Sequence, residues 1–311
     1  MRQIDKMRKF LGAIEAGGTK FVCAIGTDQG EILDRVRFAT KTPEQRMAEV
    51  VGFFHQHMTQ YSISAIGCGS FGPVDPDKSS ETYGHITHTP KLAWRNYNIV
   101  KTLEDALSLP VAFDTDVNAA VLGEYHWGAG KGLSDLIYLT VGTGIGGGII
   151  VNHQLVHGSA HPEMGHIYVP VDLTKDDFKG VCPSHGNCFE GLASGPALKA
   201  RWQVNSALDL PNDHKAWDIE ADYLSYALVN YIMCFMPKRI ILGGGVMKQT
   251  HLFEKIRKAV RQKINGYLSQ VYCDRLEAII VPPALADNAG IMGALALANT
   301  LTIGSAGPQV A

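Results

Sequence analysis

The chain has 311 residues, of which 46% are hydrophobic and 19% charged, and its formal net charge is −2. That length suits two domains of roughly 150 residues each, and the composition is that of a folded globular protein rather than a disordered or fibrous one. The near-neutral charge gives no reason to expect nucleic acid or an anionic membrane as a partner, and no window approaches the ~18 to 20 consecutive apolar residues of a membrane helix.

The first ten residues, MRQIDKMRKF, are basic. The apolar stretch behind them is short and broken by Glu15, so it fails as a signal peptide, Met7 is a candidate alternative start, and the expected location is the cytoplasm. Strand patterns follow at 10–15, 20–26, 31–38, 63–68 and 109–113, with helical spacing at 44–58 and 99–107. Prolines and glycines make 69–98 mostly loop, of a length that usually carries function. Asp116 is the natural N-cap of a helix running through VNAAVLGEYHWG. A second strand pair occupies 135–151, and an irregular region runs from about 157 to 190. A long amphipathic helix at 217–236 stops at Pro237, then come the strand RIILGGGV, a helix at 252–268, a strand at 278–281 and a closing helix at 288–300. The α/β pattern thus occurs twice, and the expected division is 1–116, with a closing helix at about 288–303 packing back on it, and 117–287.

FLGAIEAGGTKFVCAIG and LIYLTVGTGIGGGIIVN are both strand, glycine turn, strand, and lie about 125 residues apart. Glycine in such turns lets backbone N–H groups approach an anion closely. With RIILGGGV as a third strand entering glycines, the pattern predicts a duplicated fold that grips a nucleotide. Of six cysteines, Cys23, Cys68, Cys234 and Cys273 sit in apolar stretches and read as small hydrophobes.

Cys182 and Cys188 fall instead in a loop of glycine, proline and histidine. His166, Cys182, His185 and Cys188 are spaced H-x15-C-x2-H-x2-C, two thiolates and two imidazoles that suit a closed tetrahedral Zn²⁺ site. Four protein ligands leave no open position, so such a metal is structural. The competing reading is two unrelated thiols and two surface histidines, and His153, His157 and His161 lie close enough in sequence to replace His166. A clamp there would aim Glu163 and Glu190 toward one point, and two fixed carboxylates suit a polyhydroxylated ligand. Taken singly, each is a solvated loop glutamate.

Asp116 follows a strand and opens a helix, where α/β proteins place ligands. A plain helix cap is the simpler reading. Phosphoryl transfer to a hydroxyl, however, needs one carboxylate to accept the proton and otherwise rests on positioning and charge stabilisation.

With these residues in place the chain resembles the ROK family of sugar kinases, and within it the zinc-containing bacterial fructokinases. The resemblance runs through IEAGGTK, TPKLAW, DTDVNAA, LTVGTGIGGGI, HPEMGH, CPSHGNCFEGLASGPAL and ILGGGV. It implies an actin-like, hexokinase-like (ribonuclease H-like) duplicated α/β fold whose two domains close over MgATP and sugar. It further implies that Asp116 is the catalytic base and that Gly17, Gly18, Thr19 and Lys20 form the first phosphate loop. Gly142, Thr143 and Gly144 would form the second, Gly243, Gly244 and Gly245 the adenosine segment, and Glu163, His166 and Glu190 the sugar contacts. His166 serves both roles if one ring nitrogen binds zinc and the other a hydroxyl. A homodimer is implied by the resemblance alone. Glucose-type members carry Asn-Asp at Thr115-Asp116 and Asp at Glu15, and both departures point to D-fructose, phosphorylated to fructose 6-phosphate. The use of His185 in the zinc knuckle points the same way. About ten residues precede the first strand, so the repressor function of the branch with an N-terminal helix-turn-helix is not expected.

Three readings compete. Gly142-x-Gly144-x-x-Gly147 also satisfies the dinucleotide fingerprint, but that version needs a helix after the glycines and GGGIIVNHQLV reads as strand. A zinc-stabilised, non-catalytic sugar-binding protein would not need Asp116 or the phosphate loops. A glucokinase or mannokinase of the same family differs only in substrate.

Overall fold

The computed structural model describes residues 8–302, so Met7, the six residues before it and the small-residue tail from Ile303 lie outside the described residues. The first part of the chain forms β1 (Phe10–Ala16), β2 (Lys20–Thr27), β3 (Ile32–Ala39), α1 (Pro43–Met58), β4 (Ile63–Ser70), β5 (His85–Ile86), β6 (Tyr97–Asn98), α2 (Ile99–Leu107), β7 (Val111–Thr115) and α3 (Asp116–Trp127). It continues through β8 (Leu136–Val141), β9 (Ile145–Val151), β10 (Gln154–Leu155), α4 (Phe189–Ala193), α5 (Gly195–Trp202) and α6 (Ala216–Phe235). The rest comprises β11 (Arg239–Gly243), α7 (Leu252–Ile264), α8 (Gln270–Asp274), α9 (Leu276–Ile279), β12 (Ile280–Val281) and α10 (Ala289–Thr300).

Two five-stranded sheets have the same plan. The first is ordered β3-β2-β1-β4-β7 and the second β10-β9-β8-β11-β12. In each, an antiparallel meander supplies three strands, its first strand pairs in parallel with a later strand, and that strand pairs in parallel with the edge strand beyond it. The duplication read from the glycine hairpins is therefore a duplication of topology. Since β9 follows the second glycine turn and runs antiparallel to β8, the turn opens no helix, and the dinucleotide reading falls.

Each unit has its own core. Phe21, Phe54, Ile66 and Trp94 are fully or almost fully buried in the first, and Leu139, Phe189, Trp217 and Leu242 in the second. The first unit runs to Lys131 and adds 157–161 and the chain from Asp287, while the second comprises 132–156 and 162–286. The division expected near Asp116 thus falls after α3. The cause is the packing of α3 on α10: a Cβ on Gly293 would lie 1.6 Å from the Ala119 carbonyl oxygen, and one on Gly123 2.4 Å from that of Ala289. Only glycines permit helices to approach so closely, and that contact draws α3 into the unit that holds α10.

Several boundaries differ from the sequence pattern. Helix α7 stops at Ile264 because Asn265 turns left-handed, φ 48°, and Gly266 follows at φ 75°. The strand expected at 278–281 begins as the helical turn α9 and is extended only from Ile280. Helix α5 was not foreseen, although Ser194 caps it by accepting from Ala197 N. Cys23, Cys68 and Cys273 are buried as expected, but Cys234 is exposed near the end of α6.

Candidate active site

In the first unit the chemistry-bearing residues gather where β7 meets α3. The cap of α3 is Thr115, whose Oγ1 accepts from Asn118 N at 3.0 Å; Asp116 is the first helical residue and not the cap expected from the sequence. Thr115 takes the role because a hydroxyl there reaches the third amide of the helix, and Asp116 then stands one residue inside, where the helix N-terminus favours a negative charge. Asp114, 4% exposed, organises the turn. Its Oδ1 accepts from Thr115 N and from Asn118 Nδ2, both at 2.7 Å, and its Oδ2 lies 2.8 Å from His157 Nε2. That hydrogen bond raises the His157 pKa above its ordinary value, against the opposing effect of burial.

The turn between β1 and β2 closes on its own backbone. Gly17 N donates to the Lys20 carbonyl at 2.8 Å, Thr40 Oγ1 donates to the Gly17 carbonyl at 2.9 Å, and Thr40 N donates to the Thr19 carbonyl at 2.9 Å. Gly18, Thr19 and Lys20 are thereby held with Gly17 in one tight turn. Lys91, in the TPKLAW segment, lies beside it: a Cβ on Gly18 would be 3.3 Å from Lys91 Cε. Glu15, at the end of β1, is pushed up from the usual carboxyl range by burial, with Lys20 and Arg37 pulling it back.

The second unit brings its two glycine segments together. Gly142 N donates to the Gly144 carbonyl at 2.9 Å, closing the turn around Thr143, and Gly195 N donates to the Gly142 carbonyl at 2.7 Å. Gly243 ends β11 and Gly244 turns with φ +91°, where a Cβ would lie 2.4 Å from the Val141 carbonyl oxygen. Only glycine fits there, and it allows the Gly243–Gly245 turn to pack on the end of β8. Glu190, in the first turn of α4, is joined to the same hairpin, its Oε2 accepting from Ile145 N at 2.8 Å. It is therefore no freely solvated loop glutamate. Glu163 is exposed and precedes the 3₁₀ turn 164–166, its carbonyl accepting from His166 N at 3.0 Å. Tyr231 Oη fixes that turn by donating to the Met164 carbonyl at 2.5 Å, and Phe189 N donates to the Ile167 carbonyl at 2.8 Å.

The four metal-ligand candidates converge. One ligand atom from each of His166, Cys182, His185 and Cys188 lies within 4.8 Å of all the others. His166 Nδ1 is 3.4 Å from Cys188 Sγ and 3.8 Å from Cys182 Sγ, and His185 Nδ1 is 3.6 Å from Cys182 Sγ. A tetrahedral zinc with ordinary Zn–S and Zn–N bonds sets an S···N edge of about 3.6 Å, so the donor set fits that ion. Two of the three alternative histidines are occupied elsewhere: His157 on Asp114, and His161, whose Nε2 accepts from Val74 N at 3.2 Å. Ahead of Cys182, the buried Asp176 accepts from Arg201 Nε at 3.2 Å and Tyr223 Oη at 2.7 Å, and Arg201 also donates to the Leu192 carbonyl at 2.7 Å. This network fastens the stretch leading into the knuckle to α5 and α6.

Asp114, His157 and Lys91 carried no sequence signal of their own. The acid–imidazole pair is separated by 43 residues, and long-range side-chain bonds leave no periodicity to read.

Known proteins resemble this chain over nearly its whole length. The ROK family profile matches residues 11–301. A Bacillus subtilis (strain 168) protein named "Putative fructokinase" is 51% identical over 293 residues, which span 93% of this chain and 95% of that one. The fructokinase of Pediococcus pentosaceus is 42% identical over 289 residues, spanning 93% of this chain and 97% of its own. Among solved structures, a ROK family glucokinase from Streptomyces griseus in complex with glucose and AMPPNP superposes with a TM-score of 0.72 at 26% identity, over 94% of this chain and 99% of that one.

Proposed function

The chain belongs to the ROK family, and on that premise we propose that it is a fructokinase, transferring the γ-phosphoryl group of ATP to D-fructose with Asp116 as general base. The substrate class is supported by the fructokinase relatives that match nearly the whole chain. The observation that carries the choice of base is the Thr115 cap: it leaves Asp116 as a carboxylate at the strand end with no capping duty to explain it.

In this reading Glu163 and Glu190 accept hydrogen bonds from sugar hydroxyls. His166 directs Nδ1 toward the thiol sulfurs, so Nε2 is the ring nitrogen that meets a hydroxyl. Asp116 takes the proton of the terminal hydroxyl as its oxygen bonds to the γ-phosphorus in line and the bond to the β-phosphate oxygen breaks, releasing ADP. With the Gly17 and Gly142 amides committed to closing the two turns, the other amides of Gly18–Lys20 and of Thr143 and Gly144, with the Lys20 ammonium, stabilise charge on the phosphoryl oxygens, and Gly243–Gly245 receive the adenosine. Magnesium bound with ATP would supply neutralisation of phosphate charge. His166, Cys182, His185 and Cys188 would hold a zinc ion that cross-links the loop, and four protein ligands would make its contribution structural. The family resemblance further supports a cytoplasmic homodimer. Among the described residues no helix is long and apolar enough to cross a membrane.

The test is ADP release with MgATP against fructose, mannose, glucose and N-acetylated hexosamines, with NAD(P)⁺ reduction as a control. Fructose-dependent release is expected. Preference for glucose or mannose would overturn the substrate reading of Thr115 and Glu15, and silence on every sugar would favour a binding protein.

A further inference from the structure

The segment His157–His161 belongs to the first unit although Val156 and Pro162, on either side, belong to the second. Both of its terminal residues are histidines, and both are moored in the first unit. His161 Nε2 accepts from Val74 N at 3.2 Å, and His157 Nε2 lies 2.8 Å from Asp114 Oδ2. An ionised Asp114 only accepts, so His157 carries its proton on Nε2 and donates. The Asp114 side chain is 5% exposed and that of His157 35%. A carboxylate so buried depends on its donors, and these are Thr115 N, Asn118 Nδ2 and His157 Nε2. The first two belong to the turn that sets the start of α3, with Asp116 between them in sequence. His157 is the third, reaching in from 43 residues away.

We propose that His157 is a positioning residue for phosphoryl transfer: by donating to Asp114 it locks the carboxylate that shapes the β7–α3 turn, and through that turn it fixes Asp116. The proposal rests on the reading of Asp116 as the base. No contact between His157 and the sugar is required. Its removal leaves a buried carboxylate short of one donor, and the turn relaxes to recover one. Small misplacement of a reacting group has a large effect on rate, because the barrier depends steeply on alignment, while ground-state sugar binding by other residues is spared.

The experiment compares His157→Ala, His157→Gln, Asp116→Asn and the His157→Ala/Asp116→Asn double variant in kcat, in KM for fructose and MgATP, and in Tm. His157→Ala is expected to lower kcat about tenfold with both KM values within about twofold, and to lower Tm measurably because the buried Asp114 carboxylate loses a donor. His157→Gln keeps an N–H donor of similar reach and is expected to recover most of the loss. In the double variant the alanine is expected to add nothing to the Asp116→Asn defect, since a misplaced base no longer matters once the base is gone. Wild-type kcat in His157→Ala beside a disabled Asp116→Asn would overturn the His157 proposal alone. So would a rise in the fructose KM at unchanged kcat, which marks a sugar contact, or equal losses of Tm and kcat in both His157 variants, which mark a structural role. Full turnover by Asp116→Asn would overturn the base reading and this proposal with it.

Discussion

The glycine turn after β1 and the one after β8 occupy equivalent places in two sheets of one strand order, yet they are held by different means. The first is closed by its own backbone and by Thr40, a residue just past the neighbouring strand β3. The second also closes on its own backbone, Gly142 N to the Gly144 carbonyl, but it is held in addition by groups about fifty residues away: Glu190 Oε2 receives Ile145 N, and Gly195 N binds the Gly142 carbonyl. Glu190 lies two residues after Cys188, so in the second unit the turn shares a short stretch of chain with the metal knuckle. In the first unit the long-range tie goes to the base turn instead, from His157 to Asp114. The two sheets share one topology, and on the proposed reading the segments between strands give the copies separate work, proton transfer in one and sugar and metal binding in the other.

The largest effect expected is on the first unit's chemistry. Asp116→Asn should lower kcat by about 10² to 10⁴, the range for loss of a general base, with fructose affinity retained; near wild-type turnover would remove the division of labour altogether.

The next effect concerns the second unit's fold. Arg201 and Asp176 are 5% and 7% exposed at the side chain, and Arg201→Met would leave the Asp176 carboxylate buried with Tyr223 as its remaining side-chain donor. Urea unfolding should show a loss of about 3 to 5 kcal/mol, as is usual when one partner of a buried pair is removed. A loss under about 1 kcal/mol would show that the network does not anchor the loop ahead of Cys182.

Cys188→Ser, or exhaustive chelation, should remove zinc, expose 160–190 to proteolysis and raise the fructose KM by about 10- to 100-fold, the range seen when the shell around a metal is disturbed. Burial holds the Cys188 thiol up to about 11, so in the bare protein it is a neutral thiol. Metal analysis of protein purified without chelator should find one zinc per chain, and none would contradict the assignment. Glu190→Gln keeps an acceptor for Ile145 N but loses the charge, and a rise in fructose KM of about tenfold is expected, with MgATP less affected. An unchanged KM would take Glu190 out of sugar binding.

A separate effect is on pH dependence. Glu220 is fully buried, both of its carboxyl oxygens lack a hydrogen-bond partner, and burial raises its pKa well above 4.5, with Arg201 only partly opposing. The folded state therefore binds the Glu220 proton more tightly than the unfolded state does. Stability from this group is lost as pH climbs above 4.5, by up to about 1.4 kcal/mol per unit until the folded carboxyl ionises. Glu220→Gln should flatten that fall in a series of Tm values from pH 5 to 8; an identical slope in the two proteins would mean that Glu220 ionises without penalty.

What could be read in advance was whatever repeats or sits close in sequence. Alternation marked β1, β2 and β4, the glycines marked both turns, and C-x2-H-x2-C marked the knuckle because its ligands are local. The cap of α3 lies one residue earlier than the sequence pattern indicates, since Thr115 and Asp116 are both acceptable caps and local spacing does not select between them. The ties of Glu190 to Ile145 N, His157 to Asp114 and Lys91 to the Gly18 turn join distant segments through single side chains. The α3–α10 contact was hidden for a related reason: Gly123 and Gly293 are ordinary glycines until two helices are seen to meet there.

The most direct test follows the product by phosphorus NMR, with wild-type protein and Asp116→Asn each given fructose and MgATP and with fructose affinity measured on the same samples. Fructose 6-phosphate from the wild type, formed at least about a hundredfold more slowly by a variant that binds fructose equally well, is the predicted result. Equal rates from the two proteins, or no phosphorylated fructose from either, would contradict it.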